Sequence, residues 1–177
     1  DLKAFTEDFY RRVTKSRLAP VLETLEYIRK ETGCWLEITT LLIPGENDSQ
    51  GELERMCAWI AERLGPDVPI HFSAFHPDYR MRDKARTPHA TLMTARRIAV
   101  EAGLRYAYIG NVHDPARDST WCHACGEKVI GRDWYRLDRW RLDGLGGCRA
   151  CGTSVAGVFD GPPGRWGSKR QPVRIAA

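Results

Sequence analysis

No run of 18 apolar residues occurs in the 177-residue chain, so none of it reads as a membrane-spanning helix. No charged start followed by an apolar stretch marks a secretory signal, and cysteine is sparse, at six residues. A disulfide-built secreted domain is therefore a poor match, and a reduced, cytoplasmic setting is predicted. Charge of one sign is not massed either: 27 Lys and Arg stand against 23 Asp and Glu, a net +4, with the basic residues scattered through helical segments. That distribution argues against nucleic acid as a partner. Repeats and low-complexity tracts are absent, and 42% hydrophobic with 28% charged residues is the composition of an ordinary globular chain. The first residues, Asp1-Leu2-Lys3-Ala4-Phe5, lack Met and read as the end of a strand already under way, which predicts a preceding portion in the whole protein.

What the chain does have is two matched knuckles, Cys122-His-Ala-Cys125-Gly and Cys148-Arg-Ala-Cys151-Gly, separated by 22 residues. Each puts two thiolates on one tight turn, and Gly126 and Gly152 let the backbone fold around an ion. Cys122, Cys125, Cys148 and Cys151 are predicted to form a tetrahedral site, with zinc the default and a single iron or an iron–sulfur cluster as alternatives. A zinc-ribbon-like module over 120–160 follows, with Trp121, Trp134, Tyr135, Trp140 and Trp166 packing it. Residues 113–119 read as a linker and 161–177 as an irregular basic tail.

Upstream, apolar periodicity predicts a polar helical stretch at Glu7–Val13, then helices at Leu18–Thr32, Gln50–Leu64 and Thr87–Ala102. Between them, Cys34–Ile43, Pro69–Phe75 and Arg105–Ile109 read as strands, with Cys34 and Cys57 buried. Alternating strands and helices over 1–112 imply an α/β fold with a parallel sheet covered on both faces, about half of a (β/α) barrel, with functional residues at the C-terminal strand ends.

Asp1-Leu2-Lys3, Leu42-Ile-Pro-Gly45 followed by Asn47-Asp48, and Phe72-Ser-Ala-Phe-His76 together resemble the C-terminal half of radical SAM activating enzymes of the pyruvate formate-lyase activase type. The longer run from His71 to Arg80, Tyr108-Ile-Gly-Asn-Val112 and the two late cysteine pairs resemble a narrower group, the radical SAM enzyme of the AmmeMemoRadiSam system. The resemblance implies a partial (β/α)6 TIM-like barrel in which a [4Fe–4S] cluster on a CxxxCxxC loop binds and reduces S-adenosylmethionine. No cysteine here has partners at +4 and +7, so the cluster ligands are expected outside this chain, and the fragment alone is expected to be inactive.

By the same resemblance, Asp1 and Lys3 would contact the methionyl end of the cofactor and His76 its ribose or adenine side. Glu37 and Thr39 fall on one side of a strand that is otherwise apolar, and two polar groups there need a reason. If that side is the barrel lumen, Glu37 would receive an ammonium or substrate donor, and Thr39 a hydroxyl or carboxylate. Structural waters explain the pair equally well. Related activases carry Arg near Thr39, a departure here. His71, on the opposite strand face from His76, reads as structural; the basic loop from Arg80 to Arg86 reads either as a solvated surface or as a patch that steers an anionic substrate or a protein partner across the barrel mouth.

The implied activity is reductive cleavage of S-adenosylmethionine to a 5′-deoxyadenosyl radical that abstracts hydrogen from an unidentified substrate, a protein being one class. Partner proteins of the same system are expected. The rival reading is a four-cysteine module that recognises a protein or nucleic acid, with the truncated barrel as scaffold.

Overall fold

A computed structural model describes residues 1–161, 163 and 164. Trp166 and most of the tail expected at 161–177 lie outside the described residues.

The chain opens along the edge of a sheet rather than in a strand of its own. The Leu2 N–H donates to the Thr39 carbonyl at 3.2 Å and the Thr40 hydroxyl to the Leu2 carbonyl at 2.8 Å, while Leu2 and Ala4 are buried. The stretch expected as one helix from Glu7 is a single turn, α1 (Glu7–Phe9), capped by the Thr6 hydroxyl. It passes into a π-helical turn, Tyr10–Thr14, ended by left-handed Lys15. Helix α2 (Leu18–Glu31) follows as its periodicity requires.

Strand β1 (Ile38–Leu42) is shorter than the run from Cys34 suggests. Its partner explains this: the Ile38 N–H bonds the Pro69 carbonyl at 2.9 Å, and Pro69, lacking an N–H, cannot extend the ladder backwards. Residues 34–37 are irregular, and Cys34, expected in the core, is exposed. Strand β2 (Ile70–Ala74) and β3 (Ala107–Gly110) complete a parallel sheet in the order β1-β2-β3, with Thr39, His71 and Tyr108 in register. Parallel neighbours need crossovers, supplied by α3 (Gln50–Arg63) and α4 (His89–Glu101). The latter starts after Thr87 because that residue is bound at the strand ends: its hydroxyl accepts from the Phe75 N–H just past β2 and donates to the Leu42 carbonyl of β1.

Period-2 alternation decides the two faces of the sheet. Ile38, Thr40, Leu42, Ile70, Phe72, Ala74, Ala107 and Ile109 are all buried, in one core with Leu25 of α2, Met56 and Ile60 of α3, and Leu92 and Ala95 of α4. Each large side chain there contributes about 1.5–3 kcal/mol of burial. Thr39, Leu41, His71 and Ser73 on the other face are half-buried. Helices α3 and α4 therefore lie on one face, while on the other Leu41 packs near Phe9 and Tyr10 of the first turns. The described residues form a three-stranded parallel sheet and a small antiparallel one, and no barrel closes among them.

The expected linker contains a short helix, α5 (Pro115–Asp118), capped by Asp114. Strands β4 (Thr120–Trp121), β5 (Lys128–Asp133) and β6 (Arg136–Trp140) then make the antiparallel sheet. Its core is Val129, Ile130, Leu142 and Val155, packed on Tyr106 and Tyr108 of the parallel sheet. Trp121, Trp134 and Tyr135 were expected inside and are exposed; Trp140 packs against this core. No helix among the described residues is long and apolar enough to cross a membrane.

Candidate metal centre and the open sheet face

Each CxxCG segment folds into the same turn. The Gly126 N–H bonds the Cys122 carbonyl at 2.9 Å and the Gly152 N–H bonds the Cys148 carbonyl at 2.7 Å. The Cys122 and Cys148 N–H groups reach the Glu127 and Thr153 carbonyls at 2.8 and 2.9 Å. Gly126 and Gly152 hold φ of 74° and 77° with nothing near the position a Cβ would take, so conformation rather than space demands glycine.

These turns bring all four sulfurs within 4.8 Å of one another. Cys122 and Cys151 are 3.7 Å apart, and Cys125 and Cys148 3.8 Å. A tetrahedron with metal–sulfur bonds of about 2.3 Å has edges of roughly 3.8 Å, so the set suits one ion. A [4Fe–4S] cubane, with four irons between the ligands, holds its thiolates farther apart. Cys122 and Cys148 are buried against the module core, whereas Cys125 and Cys151 are exposed. The Thr153 hydroxyl and N–H lower the Cys151 thiol to about 6. Cys125 is pushed up to about 12: the Glu127 backbone favours its thiolate, but the neighbouring sulfurs, Cys151 first, hold its proton. Four thiolates this close need a cation between them.

Tyr106 joins this centre to the parallel sheet. Its hydroxyl lies 3.2 Å from His123 Nδ1, inside the first knuckle, and accepts the Ala156 N–H at 3.1 Å. Tyr108 makes a second tie, its hydroxyl 2.9 Å from Thr120 Oγ1.

On the open sheet face, a Glu37 carboxylate oxygen lies 2.8 Å from His71 Nε2, and Glu37 also accepts the Trp35 indole N–H at 2.8 Å. The His71 contact, followed by that from Trp35, holds the Glu37 carboxyl below its ordinary value against the effect of burial. The His71 ring stacks on Tyr108 with centroids 4.9 Å apart. Thr39 is the register partner of His71. His71, read from sequence as structural, is thus part of the polar group on this face; its alternation with buried Phe72 was the available signal. Tyr108, noted only within the phrase from Tyr108 to Val112, and Arg132, which carried no motif, also line the face.

Asp1 and Lys3 form an ion pair at 2.7 Å, both about half exposed. His76 follows the end of β2 and is exposed. Glu37 precedes β1, so the two lie at opposite ends of strands roughly 16 Å long and are not brought together. The C-terminal strand ends are tied by Asn47, which sequence reading took only as part of a phrase. It accepts from the Ile43 N–H and donates to the Lys3 and Leu41 carbonyls. Lys84 of the basic loop pairs with Glu46 at 2.6 Å, as does Arg12, so this part of the loop is anchored.

No protein-family profile matches the chain. Over 149 residues it is 40% identical to an uncharacterized protein of Methanocaldococcus jannaschii, MJ0808, an alignment that takes in 84% of this chain and 44% of that protein. The chain therefore spans less than half the length of the curated relative it matches.

Proposed function

We propose that this chain is the C-terminal part of a radical SAM enzyme of the AmmeMemoRadiSam type, an arc of a (β/α)6 barrel with a structural zinc module. The observation that carries this reading is the sidedness of the parallel sheet. Strands in chain order with the crossover helices α3 and α4 on one face, and Leu25 of α2 in the same core, suit a barrel, whose helices stay outside and whose other face turns inward.

S-adenosylmethionine and a [4Fe–4S] cluster, when bound, would supply one-electron cleavage to a 5′-deoxyadenosyl radical for hydrogen abstraction. The Asp1–Lys3 pair offers the charges that suit an ammonium and a carboxylate, and Thr39, Glu37 and His76 add polar groups at the sheet. The cluster does not fit this chain. Four cysteines belong to the single-ion centre, Cys57 is buried with its thiol pushed up to about 12, and Cys34 stands alone at the surface. Its ligands are assigned to the remainder of the whole protein.

The test is anaerobic reconstitution of the whole protein with iron and sulfide, then addition of S-adenosylmethionine and dithionite. Four irons, four sulfides and release of 5′-deoxyadenosine are expected. A whole protein that takes up no sulfide would overturn the radical reading. It would leave the rival, a zinc-ribbon binding module, which the exposed Trp134 and Tyr135 at the β5–β6 turn favour. A protein substrate and partner proteins of the same system belong to the first reading.

A further inference from the structure

Between the open face of the parallel sheet and the four-cysteine module lies a cavity of about 390 Å³, in the range of small-molecule sites. His71 and Tyr108 line it from the sheet, and Arg132, Trp140 and Phe159 from the module. It is built wholly from described residues and does not depend on the radical reading.

Arg132 is the informative wall. Its guanidinium lies over the Tyr108 ring, 5.6 Å from the centroid, and Nη1 donates to the Asp118 carbonyl at 3.1 Å and the Thr120 hydroxyl at 2.7 Å. These bonds fix the plane of the group. Glu37 and Asp118 feel its charge and the Tyr108 hydroxyl lies within its reach, but among the described residues no carboxylate forms an ion pair with it. A half-buried cation held rigidly without a counter-ion is costly unless something else brings the negative charge. The planar fork suits a carboxylate.

The other end of the cavity has the opposite character. Glu37 is matched by His71 and Trp35, and with these groups it can accept a donor but does not attract an anion. Trp140 and Phe159, in edge-to-face contact at 6.2 Å, supply apolar walls between the two ends. We infer that the cavity binds a small aromatic carboxylate, its anion on Arg132 and its ring against Trp140 and Phe159. A hydrogen-bond donor on the far edge of the ring would meet Glu37.

Amide and indole N–H signals of the metal-loaded chain, titrated with benzoate and with indole-3-acetate at fixed ionic strength, test this. Saturable shifts of the Trp35 and Trp140 indole signals are expected with at least one of these anions, with benzyl alcohol producing none. Arg132→Gln should weaken the response at least tenfold with metal content unchanged, and Arg132→Lys should retain part of it. Absence of saturation with both anions, an equal response to benzyl alcohol, or undiminished binding by Arg132→Gln would each overturn the inference. Should Arg132→Gln fail to fold, the comparison of benzoate with benzyl alcohol on the unaltered chain decides.

Discussion

The Tyr106 hydroxyl stands 3.2 Å from Nδ1 of His123 and takes the Ala156 N–H at 3.1 Å, so one side chain from the parallel sheet holds both the first metal knuckle and the segment after the second. Tyr106→Phe removes only that oxygen and leaves the Ala156 N–H without its acceptor. A loss of about 1–3 kcal/mol is expected, read by urea unfolding of the metal-loaded chain, with the metal still bound. An unchanged midpoint would show that the hydroxyl carries nothing.

The module has a small core of its own, Val129, Ile130, Leu142 and Val155, which depends on Tyr106 and Tyr108 and on the ion. Chelation should therefore release amide protection across β4, β5 and β6 while β1 and β2 stay protected. Hydrogen exchange before and after metal removal checks this. Loss of protection throughout both sheets at the same rate would mean that they unfold as one unit.

Gly152 adopts φ of 77° in open space. Gly152→Ala should cost about 1–2 kcal/mol from the left-handed conformation and lower metal affinity. Gly144→Ala, also with open space but without positive φ, should do neither. Metal competition with a chromophoric chelator separates the two.

Glu26 of α2 meets Arg63 of α3 at 2.9 Å and Lys30 at 2.6 Å, and these contacts, Arg63 first, lower its carboxyl from 4.5 to about 2. A depressed carboxyl pKa contributes stability that is present above the unfolded value and lost as pH falls through the folded one. The stability gap between the unaltered chain and Glu26→Gln should be full above pH 4.5 and should close toward pH 2. As the pair is solvent-screened, the gap should be small and shrink further in salt. A gap that widens on acidification would contradict the assignment.

The elements that depend on local pattern were legible in the sequence. The apolar spacing in α2, α3 and α4 and the paired CxxCG knuckles carry their own geometry, and the four sulfurs do converge. What failed depended on how strands pair and on partners far away in sequence. β1 begins at Ile38 because Pro69 ends the ladder, and Trp134 and Tyr135 are exposed because the pairing of Asp133 with Arg136 puts them at the β5–β6 turn. The partner of His71 was hidden for the same reason: the carboxylate that engages it lies 34 residues earlier.

Metal and acid-labile sulfide analysis of this chain, with X-ray absorption at the metal edge, tests the single-ion centre most directly. The account predicts one zinc per chain, no sulfide, and a shell of four sulfurs at about 2.3 Å. Iron with stoichiometric sulfide, or a chain that binds no metal while Cys122, Cys125, Cys148 and Cys151 are reduced, would contradict it.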